Sequence, residues 1–136
     1  MCIRDSGYTI LNDVSARDVQ TAHKQWYFGK SLDGFTPIGP CIVTADAFAD
    51  YPPRLGIRSF VNGEKRQDSN TALQIFDIDH VIAELSQGMT LKAGTIIATG
   101  TPAGVGMGMD PPQFLKPGDV VRCEIDGIGT LTNPVR

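Results

Sequence analysis

A β-hairpin is predicted most directly by IRSFVNGEKRQ, residues 57–67. Asn62-Gly63 lies between two segments of strand type, and this dipeptide readily supplies the two positive φ values of a type I′ turn. Asp126-Gly127 separates residues 120–125 from residues 128–132 in the same way. Alternate positions of residues 120–125 are apolar, which is the period of a strand. The sequence therefore predicts a second hairpin near the C-terminus.

One helix is predicted from Ile78 to Gln87. Asp77 or Asp79 can cap its first turn, and Val81, Ile82 and Leu85 fall on one face. Gly88 is expected to close the helix in the left-handed conformation. Further strands are predicted at residues 7–11, 39–44 and 95–99. Together with nine prolines and 15 glycines, these segments indicate a mostly β fold with small helices, of α+β class.

Composition limits the classes of function. A chain of 136 residues, 41% hydrophobic and 20% charged, suits one domain with a single core. The net charge of -3 provides no basic surface for nucleic acid, and no apolar run approaches the ~20 residues of a membrane span. Cys2, Cys41 and Cys123 have no metal-ligand spacing, so a reduced, cytoplasmic setting is expected. Cys41 and Cys123 are expected to be small core residues.

Asp13 is the first candidate for chemistry, because it directly follows an apolar strand segment. Hard divalent cations such as Mg²⁺ prefer carboxylate oxygens, and Asp13 can supply one. Alternatively, Asp13 caps a short helix over residues 14–20. Arg17 lies four residues further on, so it either pairs with Asp13 or clamps a substrate carboxylate. Gln20 follows one turn later as a candidate substrate contact or an ordinary exposed helical glutamine, and Asp18 is interpreted as structural or as a support for the residues that contact the substrate.

Lys30 follows an aromatic run and Gly29, which lets the backbone approach a ligand. A partly buried ammonium would attract an enolate, whereas the alternative is a surface lysine with a snorkelling stem. The loop TGTPAGVG, residues 99–106, can offer backbone amides and the Thr101 hydroxyl to an oxyanion, although a plain Gly/Pro turn is the alternative. Neither His23 nor His80 is identified as a general base, and this role stays unassigned.

Three motifs occur in one order: NDVSARDVQ at residues 12–20, GKSLD at residues 29–33, and TGTPAGVG at residues 99–106. In order and spacing they resemble the fumarylacetoacetate hydrolase family, over residues 7–135. The resemblance implies a mixed β-roll and a Mg²⁺ or Mn²⁺ ion bound by Asp13. It implies substrate binding by Arg17, Gln20, Lys30, Gly100 and Thr101, with Arg17, Lys30 and Thr101 catalytic. A homodimer is a further expectation from the family.

In this family a segment before the first strand carries a Glu-x-Glu pair and a lid, and no such segment precedes residue 7 here. Residues 1–6, MCIRDS, are therefore interpreted as a non-native leader, and residues 7–136 as a partial catalytic domain.

The reaction class implied by the resemblance is metal-dependent hydrolysis of a carbon–carbon bond in a 1,3-diketo acid of the fumarylpyruvate or acylpyruvate type. Isomerisation of 2-hydroxyhepta-2,4-diene-1,7-dioate and decarboxylation of oxaloacetate use the same enolate chemistry and remain alternatives. A further alternative is a catalytically incomplete scaffold or ligand-binding module, because the upstream acidic ligands are missing. The sequence leaves the substrate open.

Overall fold

A computed structural model describes residues 6–22, 24 and 26–136. Residues 1–5 of the predicted leader, and His23, lie outside this part of the chain. The ordered elements are mainly strands, with two α-helices and several single turns of 3₁₀ helix among the described residues. In chain order they are β1 (Gly7–Leu11), α1 (Arg17–Ala22), β2 (Ile38–Thr44), β3 (Gly56–Val61), β4 (Glu64–Asn70), α2 (Ile78–Gly88), β5 (Val120–Ile125) and β6 (Gly129–Pro134).

All strand pairs described are antiparallel, and they form two sheets. The larger sheet has the order β4-β3-β5-β6, and β1 and β2 form a separate two-stranded ribbon. Both predicted hairpins are confirmed. Asn62 and Gly63 have φ values of 53° and 84°, as a type I′ turn requires. In the second turn Gly127 has φ 77°, and Ile128 N–H donates to Ile125 O at 3.1 Å.

The core lies where the β1–β2 ribbon packs on β5 and β6. Its buried apolar side chains are Ile10, Ala45, Val121 and Ile128. Tyr8 and Phe48 add an edge-to-face ring contact at 5.6 Å between centroids. This core is small for the chain length, so the surface retains many large apolar side chains. No helix in the described part of the chain is long and apolar enough to cross a membrane.

Three local predictions are wrong. Residues 95–99 form no strand, because no other described segment pairs with them, and Ile96 is exposed. Cys41 is exposed on β2 instead of lying in the core. Gly88 does not adopt the left-handed conformation; it is the last residue of α2, and the extended Met89, with φ -143°, ends the helix. The N-cap prediction is confirmed, since Asp77 accepts from His80 N–H.

Candidate functional site

Asp13 and Lys30 form an ion pair between the end of β1 and the 3₁₀ turn Phe28–Lys30. Asn12 N–H donates to Pro37 O at 3.0 Å and extends the pairing with β2, and Val14 N–H then donates to Asn12 O at 2.8 Å, which makes a tight turn directly after the strand. The Asp13 carboxylate therefore meets the Lys30 ammonium, which also donates to Ser15 Oγ at 3.2 Å. Helix α1 begins only at Arg17, so the alternative in which Asp13 caps a helix over residues 14–20 is wrong.

Gly29 explains how Lys30 reaches this position. A Cβ on Gly29 would lie 2.9 Å from both Ala16 O and Gln20 Cβ, closer than ordinary packing permits. Ala16 N–H also donates to Gly29 O at 2.8 Å. The first turn of α1 thus rests directly on the backbone of Gly29. Lys30 is held beside Asp13, and its side chain keeps 28% of its surface exposed.

Arg17 pairs with Gln20 rather than with Asp13. Its Nη1 donates to Gln20 Oε1 at 2.9 Å, across one turn of α1. Gln20 is only 3% exposed, and its carboxamide oxygen is used by the guanidinium. This hydrogen bond orients the guanidinium of Arg17. Arg17 also lines the cavity that contains the other candidate residues. Asp18 is exposed on α1 and also lines this cavity.

The loop TGTPAGVG, which we call the glycine loop (residues 99–106), packs against β4. Gln67 Nε2 donates to Thr101 Oγ1 and to Pro102 O, each at 2.8 Å. A Cβ on Gly104, whose φ is 104°, would overlap the carbonyl oxygen of Arg66. Glycine at position 104 therefore allows the backbone of the loop to pack directly against the backbone of β4. Gly100 has φ 106° and open space where a Cβ would lie, so its positive φ and not close packing favours glycine at this position.

All six residues proposed from the sequence line one open cavity of about 1390 Å³. They are Asp13, Arg17, Gln20, Lys30, Gly100 and Thr101. Strand residues of the large sheet also line the cavity and supply apolar surface, including Ile57, Val61 and Val121. Concave sites with an apolar wall and a few convergent polar groups are typical of small-molecule binding. His80 does not line this cavity; it stacks on Phe76 at 4.6 Å.

Sequence reasoning missed two cavity residues, Ser59 and Gln67. They face each other across the first hairpin, where Ser59 and Gln67 are register partners and Ser59 Oγ donates to Gln67 Oε1 at 2.8 Å. The available signal was a pair of polar side chains on neighbouring strands. Cys123 also lines the cavity, and burial raises the pKa of its thiol, which favours the neutral form.

The described residues provide only part of the set of ligands that a metal ion requires. Asp13 offers one carboxylate, and it is paired with Lys30. Within the ranges that the structure describes, no group of three His, Cys, Asp or Glu side chains could hold a metal ion. Mg²⁺ often takes one or two carboxylates together with water and substrate oxygens. Asp13 fits the role of one such ligand, but these residues alone do not make a metal centre.

Comparison with known proteins identifies relatives over nearly the whole chain. The model of the fumarylacetoacetate (FAA) hydrolase C-terminal family matches residues 6–136. Oxaloacetate tautomerase YisK of Bacillus subtilis is 52% identical over 129 residues, which cover 95% of this chain and 42% of the relative. The chain thus spans less than half of this curated relative.

Solved structures agree with this assignment. A fumarylacetoacetate hydrolase from Exiguobacterium antarcticum superposes with a TM-score of 0.92 at 54% identity, covering 96% of this chain and 47% of that one. The 2-hydroxyhepta-2,4-diene-1,7-dioate isomerase of Mycobacterium marinum gives a TM-score of 0.82 at 47% identity, covering 95% and 47%. The mostly β architecture expected from the sequence is therefore confirmed.

Proposed function

This chain belongs to the fumarylacetoacetate hydrolase family, and from that premise we propose that its protein is a tautomerase acting on a 2-oxo dicarboxylate of the oxaloacetate type. The observation that carries the proposal is the cavity lined by Arg17, Lys30 and Thr101. Two cations and a hydroxyl suit a substrate with carboxylates and an enolate oxygen. The 52% identity to an oxaloacetate tautomerase supports this substrate class.

Tautomerisation moves a proton from the enol oxygen and adds one to the neighbouring carbon, so negative charge collects on oxygen between the two transfers. Arg17, held by Gln20, would bind a carboxylate through its remaining N–H groups. Lys30 and Thr101 would stabilise the enolate oxygen. Donors fixed in advance at such an oxygen commonly contribute ~10²–10³ in kcat.

The Asp13–Lys30 ion pair gives the lysine a defined place in this reaction. Asp13 and Ser15 both contact its ammonium, so two partners limit where the flexible stem can carry the charge. An ammonium that is already positioned pays less rotamer entropy when an anion arrives. We propose that Asp13 orients Lys30 whether or not a metal is bound.

Members of this family commonly use a divalent metal. We propose that Asp13 contributes one carboxylate to Mg²⁺ or Mn²⁺, with further ligands from outside the described residues. Such an ion would act as a Lewis acid toward the substrate oxygens. The chemistry derived above for Arg17, Lys30 and Thr101 does not depend on it.

Hydrolysis of a 1,3-diketo acid is the second candidate, favoured by the 54% identity to a fumarylacetoacetate hydrolase. Carbon–carbon cleavage also generates an enolate, which the same cations would stabilise. It additionally requires an activated water, and the described cavity residues identify no base for it. Isomerisation of a hydroxydienoate and decarboxylation of oxaloacetate share the enolate and are kept as outcomes of the test.

The experiment follows the ultraviolet absorbance of enol-oxaloacetate in the present chain and in a chain extended upstream with its genomic sequence. We expect faster ketonisation than the buffer rate, and a ~10²-fold or larger loss in Lys30→Met. Lys92→Met, at an exposed loop position, is the matched control and should keep full activity. Pyruvate release would indicate decarboxylation, and cleavage of acylpyruvate without ketonisation would indicate the hydrolase. No turnover in either form would support the scaffold alternative and overturn the proposal.

The metal is tested separately, by titrating Mn²⁺ into the same two forms and into Asp13→Asn. We expect Mn²⁺ to bind more tightly to the extended form, and Asp13→Asn to weaken binding at least ~10-fold because one charged ligand is lost. Asp46→Asn is the control, since Asp46 is exposed and lies outside the three motifs and the cavity. Equal Mn²⁺ affinity in Asp13→Asn and in the parent would contradict the assignment.

A further inference from the structure

We propose that Gln67 is a positioning residue that directs the hydroxyl proton of Thr101 into the cavity. The inference rests on the proposed function, in which Thr101 donates to an anionic substrate oxygen. Gln67 lies on β4, the second strand of the first hairpin. The other residues of the proposed site come from the three sequence motifs, which lie elsewhere in the chain. Gln67 is not part of any of these motifs.

The orientation of the Gln67 carboxamide follows from its neighbours. Three atoms surround it: Ser59 Oγ at 2.8 Å from Oε1, and Thr101 Oγ1 and Pro102 O at 2.8 Å from Nε2. A backbone carbonyl only accepts hydrogen bonds, so the amide nitrogen has to face Pro102. An NH₂ group has two protons, and the second one points at Thr101 Oγ1. The oxygen then faces Ser59, whose hydroxyl donates to it.

The direction of the Thr101 hydroxyl is the consequence. A threonine hydroxyl has one proton to donate and two lone pairs, and Gln67 occupies one lone pair as the donor. The hydroxyl proton of Thr101 cannot point at Gln67, because an N–H of the Gln67 carboxamide already points at the Thr101 oxygen. It is therefore left for another acceptor, and Thr101 lines the open cavity. An enolate or carboxylate oxygen, which only accepts, is the complementary partner.

Contacts of the neighbouring backbone hold the Gln67 carboxamide in this orientation. Gln67 and Ser59 lie opposite each other in the β3–β4 ladder, beside a register shift between Ser59 and Phe60. The neighbouring residue Arg66 meets Gly104 so closely that no side chain fits between them. The glycine loop is thus fixed to β4 by backbone contact, and Gln67 sets the polarity of the hydrogen bonds. Sites held by such supporting contacts keep their geometry better than sites on free loops.

The test is a double-mutant cycle on Gln67→Met and Thr101→Val, with oxalate as the probe. Oxalate is a planar dianion that resembles an enolised 2-oxo acid, so its affinity can be measured by calorimetry without turnover. We expect Thr101→Val and Gln67→Met each to weaken oxalate binding roughly tenfold. The double variant should be no weaker than Thr101→Val alone, because both changes remove the same directed proton. In an active form, kcat should fall with KM nearly unchanged.

Gln113→Met is the matched control. Gln113 accepts from Arg66 Nη1 and packs beneath Gly106, so it supports the same loop without touching Thr101. Gln113 lines the same broad cavity but is hydrogen-bonded to neither Thr101 nor Gln67, so Gln113→Met should leave oxalate affinity within about twofold. Additive losses from Gln67→Met and Thr101→Val, or an equal loss in Gln113→Met, would overturn the inference. Oxalate that binds with this coupling but without turnover would sustain the inference and remove the tautomerase proposal. Absence of oxalate binding would remove both.

Discussion

Arg58 joins the two hairpins through a single side chain. Its Nη1 and Nη2 donate to the Asp126 carboxylate at 2.8 and 3.3 Å, and its Nε lies 3.6 Å from Asp68 Oδ1. Asp126 belongs to the turn between β5 and β6, while Arg58 is in β3. The hydrogen bond from Arg58 holds the pKa of Asp126 below its ordinary value. This pair should therefore make stability depend on pH.

The sign follows from the lowered pKa. A carboxyl group whose pKa is lower in the folded chain stabilises the fold above its unfolded pKa of ~3.9, and the contribution is lost as pH falls through the folded value. We expect Asp126→Asn to lower the melting temperature at pH 7 and to match the parent once the pH has fallen below the lowered pKa of Asp126. Asp33→Asn, at an exposed loop position, is the control and should leave the melting temperature at pH 7 close to that of the parent. Thermal unfolding across this pH range measures both, and a pH-independent difference would contradict the prediction.

The site residues that could be predicted from the sequence are those that stand in contiguous motifs. Asp13, Arg17 and Lys30 stand in short motifs, and the structure brings them to one cavity. Their partners were harder to predict: Asp13 pairs with Lys30, 17 residues away, and not with Arg17, four residues away. The chain turns before α1, and this turn separates the two side chains. Gln67 was missed because its role depends on strand register and on the position of a distant loop.

At the scale of secondary-structure elements, glycine has two different roles. Gly104 lies against the carbonyl of Arg66 with a positive φ, so a side chain there meets both a clash and a strained backbone. We expect Gly104→Ala to destabilise the chain by at least ~2 kcal/mol and to displace Thr101. Gly88 ends α2 with open space around it, so Gly88→Ala should stabilise by ~0.5–1 kcal/mol.

Urea unfolding of the two variants gives both free energies, and oxalate affinity reports the position of Thr101. Gly88→Ala serves as the matched control, because it adds the same methyl group at a free site. Equal stability of Gly104→Ala and the parent would show that the glycine loop is not packed on β4 as described.

Elements with local turn chemistry were predictable, and those that need distant partners were not. The Asn62-Gly63 turn dictates its own backbone angles, so its hairpin follows from the sequence. The helix capped by Asp77 likewise carries its own start signal. Residues 95–99 have strand composition, but a strand also requires a neighbour with free backbone groups. Composition cannot supply that neighbour, and the mixed β-roll itself came from the family resemblance.

The whole molecule has more surface than its mass requires. A folded monomer of 14.6 kDa is expected to expose about 6,900 Å², whereas this chain exposes 9429 Å². The excess of roughly 2,500 Å² on one copy is larger than the ~800 Å² that each partner buries in a standard interface. Much of it is apolar: in the segment before α2, Leu73 is 74% exposed, Ile75 92% and Phe76 59%. Patches of this kind mark surfaces that associate.

We therefore predict that the chain forms homodimers through this segment, residues 73–76. Burying these side chains would recover much of the hydrophobic free energy that the small core leaves unused. Sedimentation equilibrium should show a reversible monomer–dimer system, and Ile75→Asp should shift it to monomer because a carboxylate would be buried unpaired. Ile42→Asp, at an equally apolar exposed position on β2, should leave it unchanged. A chain that stays monomeric at all concentrations, or dimers indifferent to Ile75→Asp, would show that this segment makes no contact between copies.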